Sequence, residues 1–353
     1  MDPMRSRWTK EQVAQWHEES GWVFGCNFTP STAGNQLEFW SEATFDSEVI
    51  DRELGFAARI GMNTVRVFLH HLLWEHETTA FLERFDLFLR IADAHGIRAM
   101  PVLFDGVWNP NPVWGPQPDP TPGVHNSIWV QSPGGEVLHD ESRWPSLVPY
   151  LENVMSAFAK DPRVLAWDLF NEADQIDLNT IVAGSRDHKA RAAARLLAEV
   201  IQWARGVNVS QPLTVGLWEY DDGVPASTPI NELILGESDV VTFHCYLPAD
   251  GLQRVIDDLG RHGRPMVCTE WLGRGDGSTA DLIELFAAAD VGAINWGLVS
   301  GRTQTRYPWK TWWEPVDNDE PWFHELLHPD GAAYDDAEIG LLRQTAQRMA
   351  GPA

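Results

Sequence analysis

Eight short apolar runs spaced along the whole chain limit its possible folds more than any other feature. They are Trp22–Phe28, Thr64–Leu69, Arg98–Phe104, Val164–Phe170, Leu213–Gly216, Val240–Phe243, Met266–Thr269 and Gly292–Trp296. Runs this short and this apolar suit parallel strands buried on both faces. Between them the apolar spacing changes to that of helices. Ile50, Leu54 and Ala57 share a face ahead of Gly61, and Phe81, Phe85, Phe88 and Ala92 do the same before Gly96. Leu147, Leu151, Val154 and Phe158 form a third stripe, and Ala193, Leu197, Val200 and Ala204 a fourth. Ile339, Leu342, Ala346 and Met349 form the last. A glycine just past the first two stripes is a helix stop. Only Trp218 to Glu237 shows little periodicity. Repeated strand–helix alternation predicts an α/β protein, a single (β/α)8 or TIM barrel over residues 1–353, with a short helix at about 10–20 before the first strand. A doubly wound open sheet is the rival, but no glycine-rich phosphate loop follows the first run.

A chain of 353 residues, 44% of them hydrophobic, can bury a large core. Its formal charge of −25 argues against nucleic acid and anionic membrane as partners. No run approaches the apolar length of a transmembrane helix. The N-terminal MDPMRSRWTKEQVAQWHEES lacks the apolar centre of a signal peptide, so a cytoplasmic location is expected. Cys26, Cys245 and Cys268 make no disulfide framework and fall in or beside apolar runs, as core thiols do. Without CxxC spacing they are a poor zinc site even with His244 nearby, and no metal or other cofactor is expected.

A barrel gives the polar residues a common address, the loops at the C-terminal ends of its strands. His70 and His71 stand there after the second run, Asp105 after the third, and Asn171 and Glu172 after the fourth. His244, Cys245 and Tyr246 follow the sixth, Glu270 ends the seventh and Trp296 the eighth, while Arg66 lies within the second. Strands four and seven face one another across such a barrel, so Glu172 and Glu270 are expected to meet over a central pocket. Glycoside hydrolysis needs such a pair, one carboxyl to protonate the leaving oxygen and one to attack the anomeric carbon. One such glutamate alone is more often a solvated loop acid. Two at equivalent strand ends fit that reading less well.

With these residues in place, the chain resembles the clan A glycoside hydrolases, family 5 above all, with its cellulase-like and xylanase-like bacterial members. The resemblance extends from GWVFGCNFTPSTAGNQLEFW to INWGLVSGRTQTRYPW. It implies Glu172 as acid/base, Asn171 as partner of the substrate 2-hydroxyl and Glu270 as nucleophile. It further implies Arg66 as support for the nucleophile, His244 and Tyr246 as the His-x-Tyr after strand six, and Trp296 as the floor of the sugar pocket. Two departures stand out. The usual Asn-Glu-Pro is Asn171-Glu172-Ala173, and Phe104-Asp105-Gly106 stands where family 5 commonly has a histidine.

The chemistry also follows from the residues. A retaining mechanism needs the two carboxyls about 5–5.5 Å apart, one protonated and one ionised at the same pH. Arg66 and a Tyr246 hydroxyl beside Glu270 are expected to lower its pKa, leaving Glu172 to keep its proton. Eighteen tryptophans add a second signal, because indole rings stack on sugar faces, although most are expected to fill gaps between loops and helices. Trp108 is better placed, opening the long Pro-, Gly- and Trp-rich segment Asp105 to Arg143, and it and Asp105 are expected to contact the substrate. Thr29 to Trp40, with Asn35, Gln36 and Glu38, is a second candidate wall, and Gly301 to Trp322 a third. Together these predict a retaining glycosidase acting on a small glycoside or oligosaccharide, with the wall loops closing one end of the groove for exo action. An endo-acting β-glycanase of cellulase, mannanase or xylanase type, a transglycosylase and a catalytically silent carbohydrate-binding barrel are the alternatives.

Overall fold

A computed structural model describes residues 5–175, 185–221, 224–316 and 320–351. Positions 317–319 of the Gly301–Trp322 wall segment lie outside them. The strands are β1 (Phe24–Asn27), β2 (Thr64–Phe68), β3 (Arg98–Asp105), β4 (Trp167–Asn171), β5 (Leu213–Thr214), β6 (Val241–His244), β7 (Met266–Glu270) and β8 (Gly292–Trp296). They form one parallel sheet in the order β5-β4-β3-β2-β1-β8-β7-β6, and Gly216–Leu217 pairs onto the free edge of β6. Strand five is therefore split. Leu213 and Thr214 pair with Trp167 and Asp168, whereas Gly216 and Leu217 pair with Thr242 and Phe243. That two-part strand closes the ring, and the architecture is the expected (β/α)8 barrel.

Helices cover the outside, among them Ser47–Ile60, His71–Ala94, Val148–Ala157, Ser185–Val207, Ala249–Gly260 and Asp336–Met349. Their ends follow the local chemistry. Asp46 caps Ser47–Ile60 by accepting from the backbone N–H of Glu48 and Val49, and Gly61 stops it at φ 97°. The weakly periodic stretch divides into a hairpin, Tyr220–Asp221 with Val224–Pro225, and a short helix, Pro229–Glu237. Two periods in so few residues explain why neither dominates. β4 begins later than the apolar run implied, because Val164 makes only an isolated bridge to Ala99.

The helix Lys10–Ser20 lies under the barrel. Its Trp16 packs against Val23, Met100, Leu165, Ala166, Val267 and Ile294, and the indole donates to Leu165 O at 3.2 Å. With this end plugged, the open face is the one where the strands end. Cys26, Cys245 and Cys268 are buried free thiols. Among the described residues, no helix is long and apolar enough to cross a membrane.

Candidate active site

The ends of β1, β2, β4 and β7 converge on one buried arginine. Arg66 is fully enclosed, and every one of its N–H groups is used. Nε and Nη2 donate to Asp168 Oδ2 at 2.9 and 2.8 Å, and Nη2 also donates to Asn171 Oδ1 at 2.7 Å. Nη1 donates to Asn27 Oδ1 at 2.8 Å and to Glu270 Oε1 at 2.9 Å. The rigid guanidinium thereby fixes four side chains from three other strands. With no donor left over, Arg66 supports the site from behind and does not face a substrate.

Glu270 ends β7, and its second oxygen accepts from the Tyr246 hydroxyl at 3.0 Å. Glu172 directly follows β4 with φ 41°, in the left-handed region that a glutamate rarely adopts. Gln175 holds it there: its backbone N–H donates to Glu172 O at 2.9 Å and its side-chain amide to Glu172 Oε2 at 2.5 Å. Gly106 makes room for this turn, since a Cβ there would lie 2.4 Å from Glu172 O.

His244, ending β6, stands between the two acids. Its Nδ1 is 2.6 Å from Glu172 Oε1 and its Nε2 is 3.6 Å from Glu270 Oε1. One oxygen of each carboxyl and one nitrogen of His244 lie within 4.8 Å of one another. Among the described residues, this trio is also the grouping of ligand atoms able to hold a metal ion. The imidazole turns a different nitrogen to each acid, however, which suits a bridging position between them better than a chelate around one centre.

Burial raises the pKa of both acids, Glu172 to about 8 and Glu270 to about 7. The expectation of a lowered Glu270 is therefore corrected. Desolvation outweighs the nearby His244, Arg66 and the Tyr246 hydroxyl, which only limit the rise of Glu270. Burial also pulls His244 down to about 4, so its ring is neutral at pH 7. The arrangement that fits these contacts is Glu172 O–H donating to Nδ1, with Nε2–H turned toward an ionised Glu270 but beyond hydrogen-bond distance from it.

Two expected sugar contacts take other positions. Asp105 is buried, and its carboxylate accepts from Asn171 Nδ2, Val107 N, Gln36 Nε2 and Trp129 Nε1 at 3.0, 3.1, 2.9 and 2.6 Å. It positions Asn171 from behind, so its assignment as a direct substrate contact is withdrawn. Trp108, also buried, stacks on Trp312 with ring centroids 4.9 Å apart, and so belongs to the wall more than to an open platform. Trp296 remains half-exposed, with Phe68 and Trp129 edge-on to its ring at 5.7 and 6.0 Å. His70 and His71 face away from the acids, bonded to Gln131 O and Ser132 Oγ.

Several residues at the site went unread in the sequence. Asp168 and Asn27 had a usable signal, because a charge inside one buried strand and an arginine inside another are expected to pair. His125 and His324 had none, since they lie in loops without periodicity, whereas Trp309 belongs to the expected Gly301–Trp322 wall. In the structure Trp309 meets the Tyr246 ring edge-on at 4.9 Å.

No protein-family model and no curated protein sequence matches the chain. Solved structures do. GH5_18 from Streptomyces cattleya in complex with GlcNAc superposes with a TM-score of 0.61 at 15% identity, covering 94% of this chain and 82% of that one. A glutamate-to-alanine variant of that protein, in complex with Manβ1-4GlcNAc, gives 0.62 at 15% identity over 94% and 81%. The endo-1,4-β-mannanase from Rhizomucor miehei gives 0.58 at 13% identity over 94% and 95%. At these identities the likeness is one of fold, and the chain shares the (β/α)8 barrel of these enzymes across nearly its whole length.

Proposed function

We propose that the protein is a retaining glycoside hydrolase, with Glu172 as acid/base and Glu270 as nucleophile. The observation that carries this reading is the pair itself: two enclosed carboxyls at opposed strand ends, close together and in different surroundings. Glu172 gives its proton to the glycosidic oxygen while Glu270 attacks the anomeric carbon, breaking the C–O bond and forming a glycosyl ester. With Glu270 neutralised, Glu172 is a carboxylate beside an uncharged ester. It takes a proton from water, whose oxygen attacks the same carbon and releases Glu270. Arg66 and Tyr246 stabilise the Glu270 carboxylate before attack and after release, and Asn171 is placed for the 2-hydroxyl. The Manβ1-4GlcNAc ligand of one fold neighbour and the β-mannanase activity of another put β-mannosides first among substrates to try.

One feature favours short substrates attacked from an end. The segments after β3 and β8 are laced together: Asn126 N donates to Thr303 O, Gly123 N to Gln304 Oε1 and Gln304 Nε2 to Thr121 O, each at 2.8 Å. The segment after β1 joins them through Glu38, which accepts from Arg302 Nε and Nη2 at 3.0 and 3.1 Å. Such a wall over one arc of the barrel supports a pocket in place of an open cleft.

The nucleophile is tested by Glu270→Gly on an activated aryl glycoside. Turnover is expected to vanish and to return with added azide, giving a glycosyl azide of inverted configuration. Rescue at Glu38 or Asp105, with none at Glu270, removes Glu270 from the role.

A further inference from the structure

Two enclosed histidines beside the acid pair have no part in the chemistry above. His125 and His324 are only 2% and 1% exposed. His125 Nδ1 lies 2.8 Å from Tyr307 O, and His324 Nδ1 lies 2.5 Å from Leu272 O. A carbonyl oxygen can only accept, so each Nδ1 carries the proton. Burial draws His125 down to about 4 and His324 well below its ordinary value, and both rings stay neutral. Each Nε2 is then a lone pair that accepts no hydrogen bond from another described residue, and neither atom is among the fully enclosed unpaired ones, so each keeps an opening for a partner. An acceptor reached through so narrow an opening suits a partner that brings an O–H to it.

Their positions say what that partner is. The rings are 5.4 Å apart. His324 lies 5.5 Å from Tyr246 and 6.3 Å from Trp296, and His125 lies 5.8 Å from Trp108. Both therefore stand in the aromatic wall between the ring beside the nucleophile and the tryptophan stack of the laced loops. We propose that His125 and His324 are specificity-determining residues, each Nε2 accepting a hydrogen bond from a hydroxyl of the sugar seated against Trp296. The idea rests on the glycosidase reading for what occupies the pocket. An acceptor-only edge selects glycones with a hydroxyl at the matching ring positions and rejects their deoxy analogues.

The test uses the full chain with 15N-labelled histidine. Both imidazoles are expected as neutral Nδ1–H tautomers. Their Nε2 resonances should move on titration with at least one of mannose, glucose, N-acetylglucosamine and xylose. The kinetic arm compares aryl glycosides with their monodeoxy forms. For the wild type, loss of the hydroxyl that is read costs about tenfold or more in kcat/KM. In His324→Phe, which keeps the ring shape, the same loss costs less than about twofold, and His324→Gln restores part of the discrimination through its amide oxygen. Thermal unfolding confirms that the variants fold. Nε2 resonances that no sugar moves, as with a bound water alone, overturn the proposal. So does a deoxy penalty equal in wild type and His324→Phe. Sugar-induced shifts in a protein whose Glu270→Gly variant still turns over glycosides would overturn the catalytic assignment and leave the binding site standing.

Discussion

Glu172 and Glu270 bring the same side chain into different surroundings, and the difference sets the pH behaviour. The proposed mechanism requires Glu270 ionised and Glu172 protonated, so kcat/KM is expected to rise with pH through about 7 and fall through about 8. The two limbs belong to the coupled pair, and a pH–rate profile on a good substrate measures both. Glu172→Ala removes the alkaline limb. It should lower turnover of an alkyl glycoside about a thousandfold while costing far less with a dinitrophenyl leaving group, which needs no proton. Equal losses for the two leaving groups would mark Glu172 as structural. Stability has its own sign. The folded pKa of Glu172 lies above the ordinary 4.5, so its contribution is fully present below pH 4.5 and is lost as pH rises toward 8. Glu172→Gln removes that loss, and its Tm gain over wild type should be larger at pH 9 than at pH 5. A gain that does not grow with pH contradicts a raised folded pKa. These residues were legible because each sits at a strand end. The raised pKa of Glu270 was not, because desolvation depends on everything packed around the carboxyl.

At the level of elements, the end of β4 depends on the end of β3. Gly106 follows β3, its N–H donates to Asn171 O at 2.8 Å, and its missing side chain leaves space for the left-handed Glu172. Gly106→Ala must push the Glu172 carbonyl away, and a shift near 1 Å at the acid is expected to lower kcat about a hundredfold. Thermal unfolding and kinetics on one preparation separate this from a folding defect, since overpacking there costs about 1–3 kcal/mol. Activity at the wild-type level would show that the acid does not depend on this close approach. Strands were readable as apolar runs because both faces of a barrel strand are buried. The break in strand five at Val215 was not, because it arises where the barrel must close and one short segment has to serve two neighbours.

Across the whole molecule, the barrel is asymmetric: its N-terminal end is plugged by Trp16, and one arc of its C-terminal rim is walled by laced loops. Product length over time on a soluble β-glycan checks the consequence. Monosaccharide release with little fall in viscosity is expected from a closed pocket, whereas an early viscosity drop with mixed oligomers would indicate an open cleft. The sequence by itself determined the barrel, the strand ends and the two glutamates, because burial on both faces and the 3.6-residue helical repeat are local patterns. It also placed His244 and Tyr246 at those ends and Arg66 within the second strand. Only the tertiary structure decided what each polar group touches. Asp105 moved behind Asn171, Arg66 spent its last donor, and His244 came to stand between the acids, bonded to Glu172. His125 and His324 reached the site from loops far apart in the chain, and their tautomers are set by carbonyls of Tyr307 and Leu272 that no spacing rule connects to them. Contacts across a barrel depend on closure and on loop paths, which are properties of the assembled fold and leave no period in the sequence.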